Sequence, residues 1–128
     1  MTDGELNYIG GKILDAAICV HRELGPGLLE SAYELALMRE LTLRDINVQK
    51  QVPVLLSYKG ISLGKAYEID LLVENEIIVE VKAVLEMHPV YTAQIITYLK
   101  LSKKKLGYII NFNEALLKNG FKRIVHNF

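Results

Sequence analysis

The residues Asp70, Glu80 and Lys82 stand within the stretch Tyr67–Lys82, which reads YEIDLLVENEIIVEVK. Two short apolar runs flank a polar triplet centred on Asn75, and this pattern predicts a tight β-hairpin. Counting outward from the turn gives the pairs Val73–Ile77, Leu72–Ile78, Leu71–Val79 and Asp70–Glu80. Because side chains alternate between the faces of a strand, Asp70, Glu80 and Lys82 then share one face with Leu72 and Ile78. The other face consists of Leu71, Val73, Ile77, Val79 and Val81.

Asp70 and Glu80 are the candidate chemical site of this hairpin, because directly opposed like charges destabilise a strand pair. In one interpretation, Lys82 neutralises one of two surface acids at the hairpin end. In the other, a divalent cation such as Mg²⁺ lies between the carboxylates, since hard cations prefer oxygen ligands. The apolar neighbours on both faces argue against acids that are merely solvated, but the hairpin alone leaves both interpretations open.

The length and composition predict a single domain spanning residues 1–128, with 51% hydrophobic and 23% charged residues. The only cysteine, Cys19, excludes a disulfide framework and a cysteine-based zinc site, and its apolar neighbours predict a buried packing role. No apolar run approaches the length of a membrane span. The N-terminus MTDGELNYIG lacks the layout of a secretion signal, so we expect a cytoplasmic protein without membrane contact.

The formal net charge is zero, which argues against a general nucleic-acid coat, but the charges are unevenly distributed. From Thr97 onward the chain has seven basic residues and one acid, so this segment carries +6 and the preceding part −6. The basic residues are Lys100, Lys103, Lys104, Lys105, Lys118, Lys122 and Arg123. They fit either contacts with a phosphate backbone or a solvated surface.

The periodicity of the remaining chain predicts three helices and further strands. The predicted helices span Leu6–Leu24, Leu28–Arg44 and Pro89–Ser102, and the predicted strands span Asn47–Tyr58, Ile61–Val73, Leu106–Phe112 and Arg123–His126. Pro53 favours an edge position for its strand. Gly25 and Pro26 are placed to end the first helix. His88 precedes the third helix and is predicted to be a polar N-terminal residue rather than a general base.

Glu30 and Gln94 are polar residues of the predicted helices whose role the periodicity leaves open. Glu30 lies in the first turn of the second helix, where the helix dipole favours an anion, so it is either a plain N-terminal acid or a site residue. Gln94 and Tyr98 lie four residues apart and therefore on one helix face.

The chain resembles the GxxExxY family, a branch of the PD-(D/E)xK nuclease superfamily, over nearly its whole length. The naming motif is Gly27-Leu28-Leu29-Glu30-Ser31-Ala32-Tyr33. The other matching segments are Gln51-Val52-Pro53, Asp70–Val73, Glu80-Val81-Lys82, Ala93-Gln94, Thr97-Tyr98-Leu99, Ile110-Asn111-Phe112 and Lys122–Val125. One departure is Ile69, which stands where many superfamily members have proline.

The resemblance implies a restriction-endonuclease-like α/β fold, with an αβββαβ core, a mixed central β-sheet flanked by helices, and an extra N-terminal helix. It implies Mg²⁺ or Mn²⁺ held by Asp70, Glu80 and the carbonyl of Val81, with Glu30 binding water or a second ion. Lys82 would stabilise negative charge in the transition state. Gln94 and Tyr98 would orient Lys82 or the substrate.

The implied activity is metal-dependent hydrolysis of phosphodiester bonds, with DNA favoured over RNA as the nucleic-acid partner. The competing interpretation is a catalytically silent module of the same fold that binds nucleic acid or a protein partner. A third is a subunit of a homo-oligomer or larger assembly that supplies specificity elsewhere. The presence of Glu30, Asp70, Glu80, Lys82 and Gln94 together favours the enzyme.

Overall fold

The computed structural model describes residues 1–128 as a five-stranded β-sheet with α-helices on both faces. The helices are α1 (Asp3–Leu24), α2 (Glu30–Leu43) and α3 (Pro89–Ser102), with a short 3₁₀ helix at Leu117–Gly120. The strands are β1 (Val48–Tyr58), β2 (Ile61–Val73), β3 (Ile77–Lys82), β4 (Leu106–Asn111) and β5 (Phe121–Val125). Every predicted element is present, but the first helix begins at Asp3 instead of Leu6, the second at Glu30 instead of Leu28, and the last strand at Phe121 instead of Arg123.

The sheet is mixed and its strands are arranged in chain order, β1-β2-β3-β4-β5. β3 and β4 are parallel, with α3 as the crossover between them, whereas the other neighbouring strands are antiparallel. This arrangement confirms the predicted α/β fold with an αβββαβ core and an extra N-terminal helix.

Two apolar cores lie on opposite faces of the sheet. The larger core joins the sheet to α1 and α2 and contains all five hairpin residues assigned to one face, namely Leu71, Val73, Ile77, Val79 and Val81. The smaller core joins the other face to α3 and includes Leu72 and Ile78. The predicted alternation of the hairpin is therefore confirmed. It places Asp70 and Glu80 on the face of the sheet that packs against α3.

The connection between α1 and α2 is closed by the tyrosine of the GxxExxY segment. Gly25 ends α1, with its N–H bonded to the His21 carbonyl, and Gly27 adopts φ 103°, a backbone conformation that favours glycine. The Tyr33 hydroxyl donates to the Gly25 carbonyl and accepts from the Leu28 N–H at 3.1 Å. These bonds fix the chain immediately before α2 begins.

The hairpin of β1 and β2 extends well beyond β3. β2 pairs with β3 only through Leu71–Val73, whereas it pairs with β1 over nearly its full length. Pro53 lies in β1, which is an edge strand as predicted. The free end of this hairpin exposes several large apolar side chains: Leu55, Tyr58, Ile61 and Leu63.

Cys19 differs from its prediction, because its side chain is partly exposed rather than buried. A hydrogen bond with Glu40 of α2, burial and the charge of Glu40 raise the pKa of the Cys19 thiol. This environment disfavours the thiolate, which is the nucleophilic form of cysteine. None of the three helices combines the length and the hydropathy that a membrane-spanning helix needs.

Candidate active site

Asp70 and Glu80 meet at the point where β2 and β3 stop pairing. The regular ladder ends at Leu71 and Val79. Beyond it, the Val81 N–H donates to Asp70 Oδ2 at 2.9 Å, and the Asp70 N–H makes a long contact of 3.4 Å to Glu80 Oε1. Side-chain oxygens thus replace the backbone partners at this position. The sequence placed the two acids opposite each other, and the structure brings them together in this way.

Burial is the main influence on Glu80, whose residue surface is only 9% exposed. Burial and the neighbouring charge of Asp70 together raise the pKa of Glu80 to about 9. A carboxyl in such a position holds a proton at neutral pH unless another cation takes its place. The acids are therefore not a pair of solvated surface groups.

Lys82 lies on the same face as the acids but forms no salt bridge with either of them. Its ammonium nitrogen instead lies 4.4 Å from the ring centroid of Tyr91 in α3, a cation–π contact. Lys82 therefore forms no ion pair with either acid, although its positive charge opposes the rise in the pKa of Glu80. Asp70 and Glu80 are thus neighbours that share no salt bridge with a protein cation.

Tyr98 of α3 closes the site on the side of the acids. Burial, followed by the charges of Glu80 and Asp70, raises the pKa of the Tyr98 hydroxyl. Its ring stacks on Tyr67 of β2 with 3.6 Å between centroids, and the Tyr67 hydroxyl donates to the Tyr98 carbonyl at 2.7 Å. Tyr98 is therefore held as a neutral hydrogen-bond donor near the carboxylates.

Glu30 and Glu34 are the acids that α2 directs toward this end of the sheet. Glu30 is the first residue of α2 and is exposed, without a hydrogen bond from its side chain. Glu34, one turn later, is partly buried and accepts a hydrogen bond from Gln51 Nε2 at 2.8 Å. Burial raises the pKa of Glu34, the hydrogen bond from Gln51 lowers it, and the charge of Asp70 raises it further. Glu34 was not among the predicted site residues, although its spacing of four from Glu30 indicates the same helix face.

Gln51 is a second residue that sequence reasoning did not single out as part of the site. The pairs Lys50–Leu71 and Val52–Ile69 place it opposite Asp70. Its φ of 50° is unusual for a residue other than glycine and costs about 1–2 kcal/mol. The strained backbone directs its amide to Glu34 and so connects α2 to the strand beside Asp70.

Asn111 fixes the segment that follows Lys82. This residue is 1% exposed, and its side-chain amide bonds both the N–H and the carbonyl of Val84, at 3.1 and 3.0 Å. The Phe112 N–H also donates to the Lys82 carbonyl at 2.9 Å. The end of β3, from which Lys82 projects, is therefore anchored to β4.

Two polar residues at α3, the predicted site residue Gln94 and the N-terminal His88, are less closely associated with the acids. Gln94 is exposed on α3 and has no side-chain hydrogen bond to Lys82 or Tyr98. His88 is the N-cap of α3, where its Nδ1 accepts from the Val90 N–H at 3.0 Å, as expected for a polar N-terminal residue.

The basic C-terminal segment does not form one surface beside the acids. Lys103, Lys104 and Lys105 follow α3 at the opposite end of the sheet, where Lys104 bonds the carbonyl of Asn75 in the β2–β3 turn. Lys105 lies 3.6 Å from Asp3. The chain reverses direction through α3, and this separates residues that the charge count had grouped together.

The donor set is compatible with a divalent cation. Asp70 and Glu80 offer carboxylate oxygens at the same strand junction, and the carbonyl of Val81 follows Glu80 directly in the chain. No group of three or more His, Cys, Asp or Glu side chains converges as a metal cluster. A cation here would rely on two carboxylates, supplemented by backbone or water oxygens, which is an arrangement that suits Mg²⁺.

Comparison with known families identifies the class of this chain. A model of the PD-(D/E)XK nuclease superfamily matches residues 7–124. The chain belongs to the PD-(D/E)XK nuclease superfamily, whose nucleases act on nucleic acids and generally use divalent metal ions. Searches of curated proteins and of solved structures found no match.

Proposed function

We propose that this protein is a metal-dependent nuclease of the GxxExxY branch, which hydrolyses phosphodiester bonds in DNA with Mg²⁺ or Mn²⁺. The observation that supports this proposal is the contact between Asp70 and Glu80, two acids that share no salt bridge with a protein cation. Such an arrangement is unfavourable for folding alone, because two acids in a largely buried position avoid opposed like charges only when one of them holds a proton. A bound divalent cation would take the place of that proton.

Asp70, Glu80 and the Val81 carbonyl are the proposed ligands. When bound, a divalent cation would neutralise charge on the scissile phosphate and lower the pKa of a water molecule. Asp70 contributes one oxygen to this role while its other oxygen accepts the Val81 N–H, which holds the carboxylate in a fixed orientation. The loss of solvent around Glu80 strengthens its interaction with any cation.

Lys82 is the proposed group that stabilises negative charge in the transition state. Because it forms no salt bridge with the acids, its ammonium remains available to a phosphate oxygen. The ring of Tyr91 limits the positions of this flexible side chain. Tyr98 remains neutral beside the acids and serves as a hydrogen-bond donor to the substrate, and Gln94 contributes a further polar contact from the exposed face of α3.

The acids of α2 have a supporting role in this proposal. Glu30 is exposed and available to hold water or a second ion. Glu34 interacts with the proposed metal ligand Asp70, because the charge of Asp70 raises the pKa of Glu34. We therefore assign the orientation of water on this side to Glu34 together with Glu30.

A catalytically silent module of the same fold is the second candidate. The specific observation in its favour is that only two acids converge, with no third His, Cys, Asp or Glu beside them. The preference for DNA over RNA rests on analogy within the superfamily.

A cleavage assay separates the two candidates. Wild type and Asp70→Asn would be incubated with single- and double-stranded DNA and with RNA, in the presence of Mg²⁺, Mn²⁺ or a chelator. The nuclease proposal expects cleavage by the wild type that requires the metal and disappears in Asp70→Asn. Cleavage that persists in both proteins would identify a contaminant, and no cleavage of any substrate would favour the silent module.

A further inference from the structure

A groove on the β5 side of α3 is lined by polar and basic groups that the proposed chemistry does not use. It has a volume of about 510 Å³. Its lining consists of Met87, His88, Pro89, Thr92, Asn119, Gly120 and Lys122. No aspartate or glutamate lines the groove, in contrast to the acid pair on the other side of the helix. The groove therefore suits an anion rather than a cation.

Lys122 is the charged group of this groove. Its Nζ donates to Thr92 Oγ1 at 2.9 Å, and it forms no salt bridge with a carboxylate. The N–H groups at the start of α3 contribute little here, because the side chain and carbonyl of His88 already bond the Val90 and Tyr91 N–H groups. An anion would thus be bound by side chains, with Lys122 supplying the charge.

The sheet register relates this groove to the acid pair. Glu80 pairs with Ile109 in β4, which pairs with Lys122 in β5. Neighbouring strands are about 4.8 Å apart, so Glu80 and Lys122 lie at the same level of the sheet with about 10 Å between their backbones. Adjacent residues in the first turn of α3 contact the two lysines, Tyr91 beneath Lys82 and Thr92 beside Lys122.

We propose that the groove around Lys122 binds a backbone phosphate of the nucleic-acid strand that is cleaved at Asp70 and Glu80. The strand would pass from the acid pair over His88 and Pro89, at the exposed start of α3, into the groove. Lys122 then acts as a positioning residue that sets the direction of the strand. This inference depends on the proposed nuclease function and assigns its substrate path.

The salt dependence of DNA binding tests this inference. Lys122→Gln and Lys103→Gln would be compared in the Lys82→Ala background, which limits cleavage during the measurement, by fluorescence anisotropy with labelled single- and double-stranded DNA. Each phosphate contact contributes about 0.7–0.9 to the slope of log K against log salt. Lys122→Gln should reduce the slope by about this amount and weaken Kd several-fold for all sequences. Lys103→Gln removes the same charge from the far end of α3 and should leave both values unchanged.

Two further variants distinguish phosphate binding by Lys122 from a structural role of its hydrogen bond to Thr92. Thr92→Val removes the hydrogen bond of Lys122 but leaves the charge of Lys122 in place, so this variant should keep most of the salt slope. Lys122→Arg also keeps a positive charge and should have the slope that Lys122→Gln loses. In the active protein, Lys122→Gln should raise KM with little change in kcat. If the wild type binds and cleaves DNA but Lys122→Gln leaves the salt slope and KM unchanged, the inference about the groove is wrong and the proposed nuclease function still stands. A wild type that neither binds nor cleaves any nucleic acid would instead overturn the proposed function.

Discussion

The Val81 N–H donates to a carboxylate oxygen of Asp70, 2.9 Å away, where the ladder between β2 and β3 ends. The same side chain therefore completes the strand junction, and the Asp70 N–H lies 3.4 Å from Oε1 of Glu80. Asp70 therefore contributes both to the fold and to the proposed chemistry. A variant that tests the chemistry must keep the hydrogen bond to the Val81 N–H.

Divalent metal binding should stabilise the folded protein. We expect one Mn²⁺ or Mg²⁺ site per chain, because only the folded state brings Asp70 and Glu80 together as ligands. A ligand at 100 times its Kd stabilises by about 2.7 kcal/mol. Isothermal titration calorimetry and thermal unfolding of wild type and Asp70→Asn would measure both effects. The absence of heat or of a melting shift in the wild type at millimolar Mn²⁺ would contradict this prediction.

The metal-free protein should lose stability as the pH rises from about 4.5 to about 9. Glu80 has a pKa of about 9 in the folded chain, against the ordinary value of 4.5. Between these values the folded protein retains a proton that the unfolded chain has released, so the free energy of unfolding falls by at most about 1.4 kcal/mol per pH unit. The stabilisation is complete below about pH 4.5 and is lost as the pH rises through 9.

Urea unfolding across this pH range, with a chelator present, measures the loss. Glu80→Gln has no titrating group at this position and should show a flatter profile, so the difference between the two proteins isolates the carboxyl. Because metal must displace the proton, the apparent Mn²⁺ affinity of the wild type should also increase with pH. Parallel profiles for the two proteins would mean that the pKa of Glu80 is not raised.

Lys82→Ala should separate catalysis from metal binding. The lysine forms no salt bridge with the acids, so both carboxylates remain available in the variant. Losing one transition-state contact of this kind costs about 3–4 kcal/mol, or two to three orders of magnitude in kcat. Single-turnover cleavage and calorimetry with Mn²⁺ would show lost activity beside retained affinity. Equal cleavage rates for wild type and Lys82→Ala would refute the assigned role.

Glu34→Gln should affect cleavage more than Glu30→Gln. The two residues lie one turn apart on α2, but Glu30 is exposed, whereas Glu34 is partly buried and the charge of Asp70 raises its pKa. Glu34→Gln also removes a carboxylate that burial disfavours, so we expect a small gain in melting temperature along with the loss of activity. Cleavage rates and melting curves of the two variants form a matched comparison. A larger effect from Glu30→Gln would assign the supporting role to the first turn instead.

Local alternation was sufficient to predict the hairpin. The pairs Val73–Ile77, Leu72–Ile78 and Leu71–Val79 are those of the structure, because a short turn and a period of two determine the register. The order of helices and strands was likewise readable from periodicity. These features depend on residues close together in the chain.

Contacts between distant segments were not predictable in the same way. The sequence grouped Lys82 with the acids but could not show that Tyr91 holds it, since this contact depends on how α3 packs. The hydrogen bond between Gln51 and Glu34 joins β1 to α2. It depends on a left-handed backbone conformation at Gln51, which the residue pattern does not predict. The grouping of lysines by charge failed for the same reason, because α3 carries Lys103 away from Lys122.

The hydrogen bond from the Val81 N–H to Asp70 also determines which substitutions at position 70 the fold can accept. An amide oxygen accepts an N–H as a carboxylate oxygen does, so Asp70→Asn can preserve the strand junction while removing the negative charge. A lineage can therefore abandon metal chemistry in a single mutational step without losing the domain, and it can recover that chemistry by the reverse step. The architecture alone does not demand an acid at this position, so the negative charge of Asp70 is left to the proposed chemistry.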